Sequence, residues 1–213
     1  MMERIRLNRC PTALACRLCC DDHAAQIVEL AVSLPLLLVF VVGIFDFSGA
    51  FTLKQKLTNA AREGARVAAA APANDLAHPS NPVPASIDLA LRVVDKYLEG
   101  VKINDCGLDP TTPPSLQSGL TWTYTAIGNG CPTGGLTVTI NRGYVFPPTG
   151  ASSPTGCTSQ ASSGNTVNVV GTCVSITYSY KWRFNSVITL LVPGAIYAGI
   201  SHLNTTAVAF NEN

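Results

Sequence analysis

Apolar and polar positions fall into two regimes along this chain. From Leu30 to Phe45 the residues are apolar, interrupted by Ser33 and Pro35. At ~1.5 Å per residue this run reaches ~24 Å, short of the ~30 Å hydrocarbon core of a bilayer. Extension from Ile27 to Leu53 gives a full span, with Glu29 near one membrane face and Asp46 near the other. An alanine-rich amphipathic segment follows, carrying Lys54, Lys56, Arg62, Glu63 and Arg66, and one helix covers both parts from Ala25 to Ala71. Pro35 removes a backbone donor inside it, which predicts a kink or a locally melted turn.

Pro72 stops the long helix, and Pro79, Pro82 and Pro84 make the following residues a linker. Ser86 is placed to cap a second helix running to Glu99. Ile87, Ala90, Leu91, Val94 and Leu98 share one face of that helix, and Gly100 ends it. Beyond Gly107 the period changes to alternation. Leu120, Trp122, Tyr124 and Ala126 form one series, and Leu136, Val138 and Ile140 a second. Val174, Ile176, Tyr178, Tyr180 and Trp182 form a third, each series predicting a strand with one wet face. Val167 to Val170, turning at Gly171-Thr172, reads as a hairpin partner of the third. Phe184 to Tyr197 is an apolar stretch broken at Pro193-Gly194, too short and too polar to span a membrane. Leu203 to Phe210 alternates again as a terminal strand. The fold class is α+β: a long N-terminal transmembrane and amphipathic helix, then a small antiparallel sheet domain with one packing helix. The segments are a leader at 1–24, a transmembrane helix at 25–53 and its amphipathic continuation at 54–72. A Pro-rich linker at 73–84 and an exported domain at 85–213 complete the chain.

Composition changes this picture only by exclusion. Of 213 residues, 13% are charged and the net charge is +1, so no basic or acidic excess points to nucleic acid or another polyanion. The eight cysteines divide evenly around the apolar run. Cys10, Cys16, Cys19 and Cys20 lie in the leader, where no second CxxC or histidine pair completes a metal site. Cys106, Cys131, Cys157 and Cys173 lie among Gly-, Pro- and Thr-rich segments and read as two disulfides of an oxidising compartment, with four buried thiols as the alternative. All three pairings stay open. Arginines precede the apolar run and Lys54, Lys56, Arg62 and Arg66 follow it, so the positive-inside rule decides nothing. The cysteines place the N-terminus in the cytoplasm and the C-terminal domain outside.

Carboxylates inside a spanning segment are costly and mark function by default. Glu29 either meets an amine from a neighbouring chain or sits hydrated at the headgroup boundary. Asp46, between Phe45 and Phe47, reads as an interfacial acid of an aromatic belt rather than a buried pairing group. Small residues repeat at four-residue spacing: Ala60, Gly64 and Ala68 on one row, Ala61, Ala65 and Ala69 on the next. Such rows admit close backbone approach to a sheet or a partner helix. Asn59, Arg62, Glu63 and Arg66 line the other face, with Glu63 and Arg66 spaced to pair.

The junction DHAAQIVEL sets a charged leader and small residues before a glutamate that enters an apolar helix, the pattern of a prepilin-type processing site. VELAVSLPLLLVFVVGIFDFSGAF followed by LTNAAREGARVAAA resembles the TadE-like pseudopilins of tight-adherence (Flp-type) pilus systems. Val28, Glu29, Pro35, Asp46, Asn59, Ala60, Ala61, Arg62, Glu63, Gly64, Ala65 and Arg66 carry the resemblance. Where such leaders usually end in a basic residue and glycine, this one ends in Asp22, His23 and Ala24, and Leu30 stands where phenylalanine is usual. The resemblance implies cleavage between Ala24 and Ala25, with Glu29 pairing with the new terminal amine of a neighbour and so fixing axial register.

It also implies a structural minor pilin or pseudopilin that helps initiate or anchor a pilus. The implied partners are the cytoplasmic membrane, the prepilin peptidase, related pseudopilins and the major pilin, with no cofactor. An enzyme is the rival reading. His23, His78 and His202 have no metal-binding spacing, and no G-x-S-x-G, P-loop or dinucleotide fingerprint occurs. Asp88, Asp95 and Glu99 read as solvated acids around an ordinary helix, so no catalytic and no metal-binding residue is expected. The second rival is a generic single-span protein whose exported β domain binds a ligand or cell-envelope partner.

Overall fold

The computed structural model describes residues 22–77, 83–146, 156–158, 169–184 and 202–212. The leader to residue 21, Pro79 and Pro82, Val167 and the apolar stretch over 185–201 lie outside the described residues. The chain divides into two compact units, one of residues 1–45 with 184–196 and one of residues 46–183 with 197–213.

A single helix, α1 (Asp22–Ala70), runs through Pro35 without a break. The predicted melted turn is therefore absent, and the expected cleavage point at Ala24 and Ala25 falls within helical backbone. The helix ends before Pro72, and its last carbonyls find tertiary donors. The Glu212 N–H donates to Ala69 O at 3.3 Å and Arg142 Nη2 donates to Ala71 O at 3.0 Å.

The second unit is an α+β layer structure. Strands β1 (Leu116–Ser118), β2 (Thr121–Ala126), β3 (Leu136–Val145), β4 (Val170–Ser179) and β5 (His202–Phe210) form one antiparallel sheet in sequence order. Helix α2 (Ala85–Gly100) and the C-terminal part of α1 supply the core beside it. Leu57, Ala60, Ala61, Ala65 and Ala68 from α1 join Ile87, Leu91 and Val94 from α2. Trp122, Val138, Ile140, Val174 and Ile176 of the sheet complete this cluster. Within the strands the alternating positions are mostly buried, because an antiparallel sheet with helices on one face sorts residues by parity, whereas Leu120, Tyr180 and Trp182 fall outside the strands and are half-buried.

Three local expectations are corrected. Val170, Gly171 and Thr172 are not a hairpin turn but the start of β4, paired with Val145 and Tyr144 on one side and Phe210 and Ala209 on the other. A Cβ on Gly171 would collide with Ala209 O and the Phe146 ring, so glycine is needed there for close packing rather than for a turn. β4 also lacks a wet face: Cys173, Ser175 and Ser179 are buried as well as Val174, Ile176 and Tyr178. It is an interior strand, and Tyr144 and Cys157 pack with Cys173 on the side that alternation predicts to be solvated. Finally, Ser86 does not cap α2. Pro84 holds that position, Ser86 is buried in the first turn, and the Asp75 carboxylate accepts the Ser86 N–H at 2.8 Å. Asp75 sits in a short 3-10 turn, Ala73–Ala77, inside what the prolines predict to be linker.

Candidate functional site

From Gln26 to Phe45 the side chains of α1 are large, apolar and mostly exposed. Ile27, Val28, Leu30, Val32, Leu36, Leu37, Phe40 and Ile44 are each half exposed or more, and together they surround the helix. Among the described residues this is the one helix long and apolar enough to cross a membrane. The twenty residues from Gln26 through Phe45 rise about 30 Å, the thickness of the hydrocarbon core. Glu29 lies exposed within this stretch.

The folded unit takes up the helix at Asp46, and here the sequence expectation is overturned. Asp46, expected to be unburied, is 1% exposed. Its Oδ1 accepts the Arg183 backbone N–H at 3.3 Å, and its carbonyl accepts the Tyr180 hydroxyl at 3.4 Å. Beside it Phe47 meets Trp182 edge-on at 5.5 Å, and Trp182 meets Tyr180 at 5.1 Å. At the buried carboxylate the Arg183 N–H takes the place of water, and the Tyr180 hydroxyl does the same for the backbone carbonyl. Leu53, expected to end the span, packs against the core.

Further along α1 the small residues face inward. Ala60, Ala61, Ala65 and Ala68 are at most 1% exposed. A Cβ on Gly64 would lie 2.7 Å from Val94 Cγ2, so the α1–α2 crossing is as close as it is only because position 64 lacks one. Asn59 and Arg62 stay exposed on the opposite side. Arg66 reaches back to Glu63 at 2.8 Å, an exposed pair of small energetic weight. Thr58, next to this polar face, meets the Thr205 hydroxyl of β5 at 2.8 Å.

The cysteines pair as Cys106–Cys131 and Cys157–Cys173, with Cα atoms 5.3 and 5.5 Å apart. Asn141, at the bulge of β3, donates from Nδ2 to Cys157 O at 2.8 Å and so seats the second bridge. Asp95, Glu99 and Asp105 bring carboxylates within 4.8 Å of one another. Asp95 is therefore not a freely solvated acid: burial first, then Glu99 and Asp105, push its pKa up to about 6. Arg142 is also buried, and burial holds its guanidinium below the ordinary value while Asp75 acts in the opposite sense. Asp105, Asp75 and Arg142 escape a reading of the sequence because no periodicity or motif marks them. Their surroundings are assembled from distant segments.

The TadE-like protein family matches residues 24–66, about a fifth of the chain, from the first turn of α1 into its packed part. No curated protein and no solved structure matched the chain in the corresponding comparisons.

Proposed function

We propose, from the premise that residues 24–66 are TadE-like, that the chain is a structural, non-enzymatic minor pilin or pseudopilin of a tight-adherence pilus or secretion apparatus. The observation that carries this reading is the helix itself. One TadE-like α1 is clothed in exposed apolar side chains over 26–45 and provides part of a folded core from Leu57 onward. Such a helix needs a lipid or protein cover for its first part, and burial of each large apolar side chain is worth roughly 1.5–3 kcal/mol. Membrane storage supplies that cover before assembly, and neighbouring helices supply it in a fibre. The N-terminus stays cytoplasmic and the disulfide-bonded domain stands outside. The prepilin peptidase cuts between Ala24 and Ala25, and Glu29 then pairs with the amine of an adjacent subunit, two groups that neither lipid nor a dry fibre tolerates alone.

Mass spectrometry of the mature N-terminus, in cells with and without the prepilin peptidase, tests this. The expected product begins at Ala25 only where the peptidase is present. An intact leader in both strains would leave a generic single-span protein with an exported binding domain. Glu29→Ala is expected to lower piliation more than leader removal; unchanged piliation would sink the pairing.

A further inference from the structure

One basic pocket lies outside everything assigned so far. It has a volume of about 390 Å³ and is built wholly within the second unit, from α1 just after Phe47, the residues following α2, and the end of β4. Lys56, Lys102 and Arg183 bring three cations to its lining, and Ser48, Thr52 and Tyr180 bring hydroxyls; no carboxylate lines it.

The cations are placed by the fold. The Lys56 ammonium donates to Val101 O at 3.1 Å, which fixes it while leaving two of its N–H donors to turn elsewhere. Lys102 takes a left-handed φ of 58° just past α2, where its N–H and that of Ile103 close back on Glu99 O and Leu98 O, so the helix stop fixes where its backbone stands. Gly49 lets the Tyr180 hydroxyl come against α1, since a Cβ there would lie 3.2 Å from it. Two acids stand beside the pocket without lining it. Asp46 is buried and accepts the Arg183 N–H, and Asp105 accepts from Gly107 N–H and groups with Asp95 and Glu99.

A lining with three cationic residues and no carboxylate suits an anion with several acceptor oxygens, and Arg with Lys is the pairing that phosphate recognition uses. The volume falls in the range of small-ligand sites. Phe47 and Phe51 are exposed on the same stretch of α1, and Trp182 beside Arg183 packs on Phe47, the residue types that gather at a membrane–water boundary.

We infer that this pocket binds a phosphate-bearing anion, supplied either by a phospholipid headgroup or by free phosphate. The test uses the full-length chain in nanodiscs of phosphatidylcholine with or without phosphatidylglycerol. Lipid retained on the protein is read by native mass spectrometry, and inorganic phosphate is titrated by calorimetry into the phosphatidylcholine discs. A Lys102→Ala, Arg183→Ala double variant is compared with Arg92→Gln, Lys96→Gln, which removes equal charge from the surface of α2. Retention of phosphatidylglycerol that falls about tenfold in the first pair and not in the second identifies a headgroup site. Phosphate binding lost in the same pattern, without lipid preference, identifies free phosphate. Equal losses in both pairs, or no binding of either probe, overturn the proposal. Should the double variant unfold early, the exposed single reversal Lys102→Glu gives the same readouts.

Discussion

The two parts of α1 share one backbone and obey different solvents. Over 26–45 the side chains are mostly Leu, Val, Ile and Phe, and most of them are exposed. Over 46–70 the buried positions are mostly Ala and Gly, with Leu57 among them, and Asn59, Arg62 and Arg66 face outward. Hydrocarbon does not discriminate between the sides of an apolar helix, so large residues are accepted all round. In the folded unit the inward stripe is made of small apolar residues, and closeness rather than bulk is what that stripe provides. Side-chain size and the first fully buried acid, not helix length, mark where one solvent gives way to the other.

The largest effect that could break this contrast is a matched pair of truncations. Leu57→Ala should cost about 2–5 kcal/mol, because a fully buried side chain leaves a cavity. Leu37→Ala, at a site 61% exposed, should change stability by less than ~0.5 kcal/mol. Urea unfolding of the full chain in detergent, followed by near-ultraviolet dichroism of the second unit, reads both; equal losses would erase the distinction. Next in size, Cys157→Ser with Cys173→Ser opens a bridge spanning 16 residues and should cost about 3 kcal/mol. It should leave extraction from membranes unaltered, as checked by carbonate washing.

The two acids of the helix sharpen the comparison. Asp46→Ala leaves the Arg183 N–H without its acceptor and should cost about 1–3 kcal/mol in the same unfolding assay. Glu29→Ala should leave unfolding of the second unit unchanged, so its effects appear only in assembly. The smallest effect is the pH dependence of Asp95. Its folded pKa of about 6 lies above the ordinary 3.8, so the stability linked to it is fully present below about pH 4 and is lost as pH rises through 6. Asp95→Asn should therefore stabilise the protein by about 1 kcal/mol at pH 7.5, after discounting for solvent screening, and by nothing at pH 4.

What the sequence announces is whatever rests on period. Trp122 and Tyr124, Leu136 to Ile140, and Leu203 to Ala207 show their buried parity in the chain itself, as do the inward positions of α2. The terminal match at Glu29 and Asn59 to Arg66 is equally local. What it conceals depends on remote partners. Asp46 is buried because Tyr180 and Arg183 arrive from more than 130 residues away, and no neighbour in sequence foretells them. Ser86 yields to Asp75 because an 11-residue detour brings a carboxylate to the helix start. The second buried face of β4 owes its cover to Cys157 and Tyr144, and cysteine pairing is a matter of distance that composition cannot rank.

The sheet adds each strand to the one made just before it. Val174 of β4, which packs near Gly64, is synthesised about 110 residues later. At ordinary ribosomal speeds that gap lasts roughly 5–20 s. Throughout that delay the alanine-and-glycine strip of the nascent chain stands without its final cover, offering any waiting chaperone a surface that the finished protein never shows.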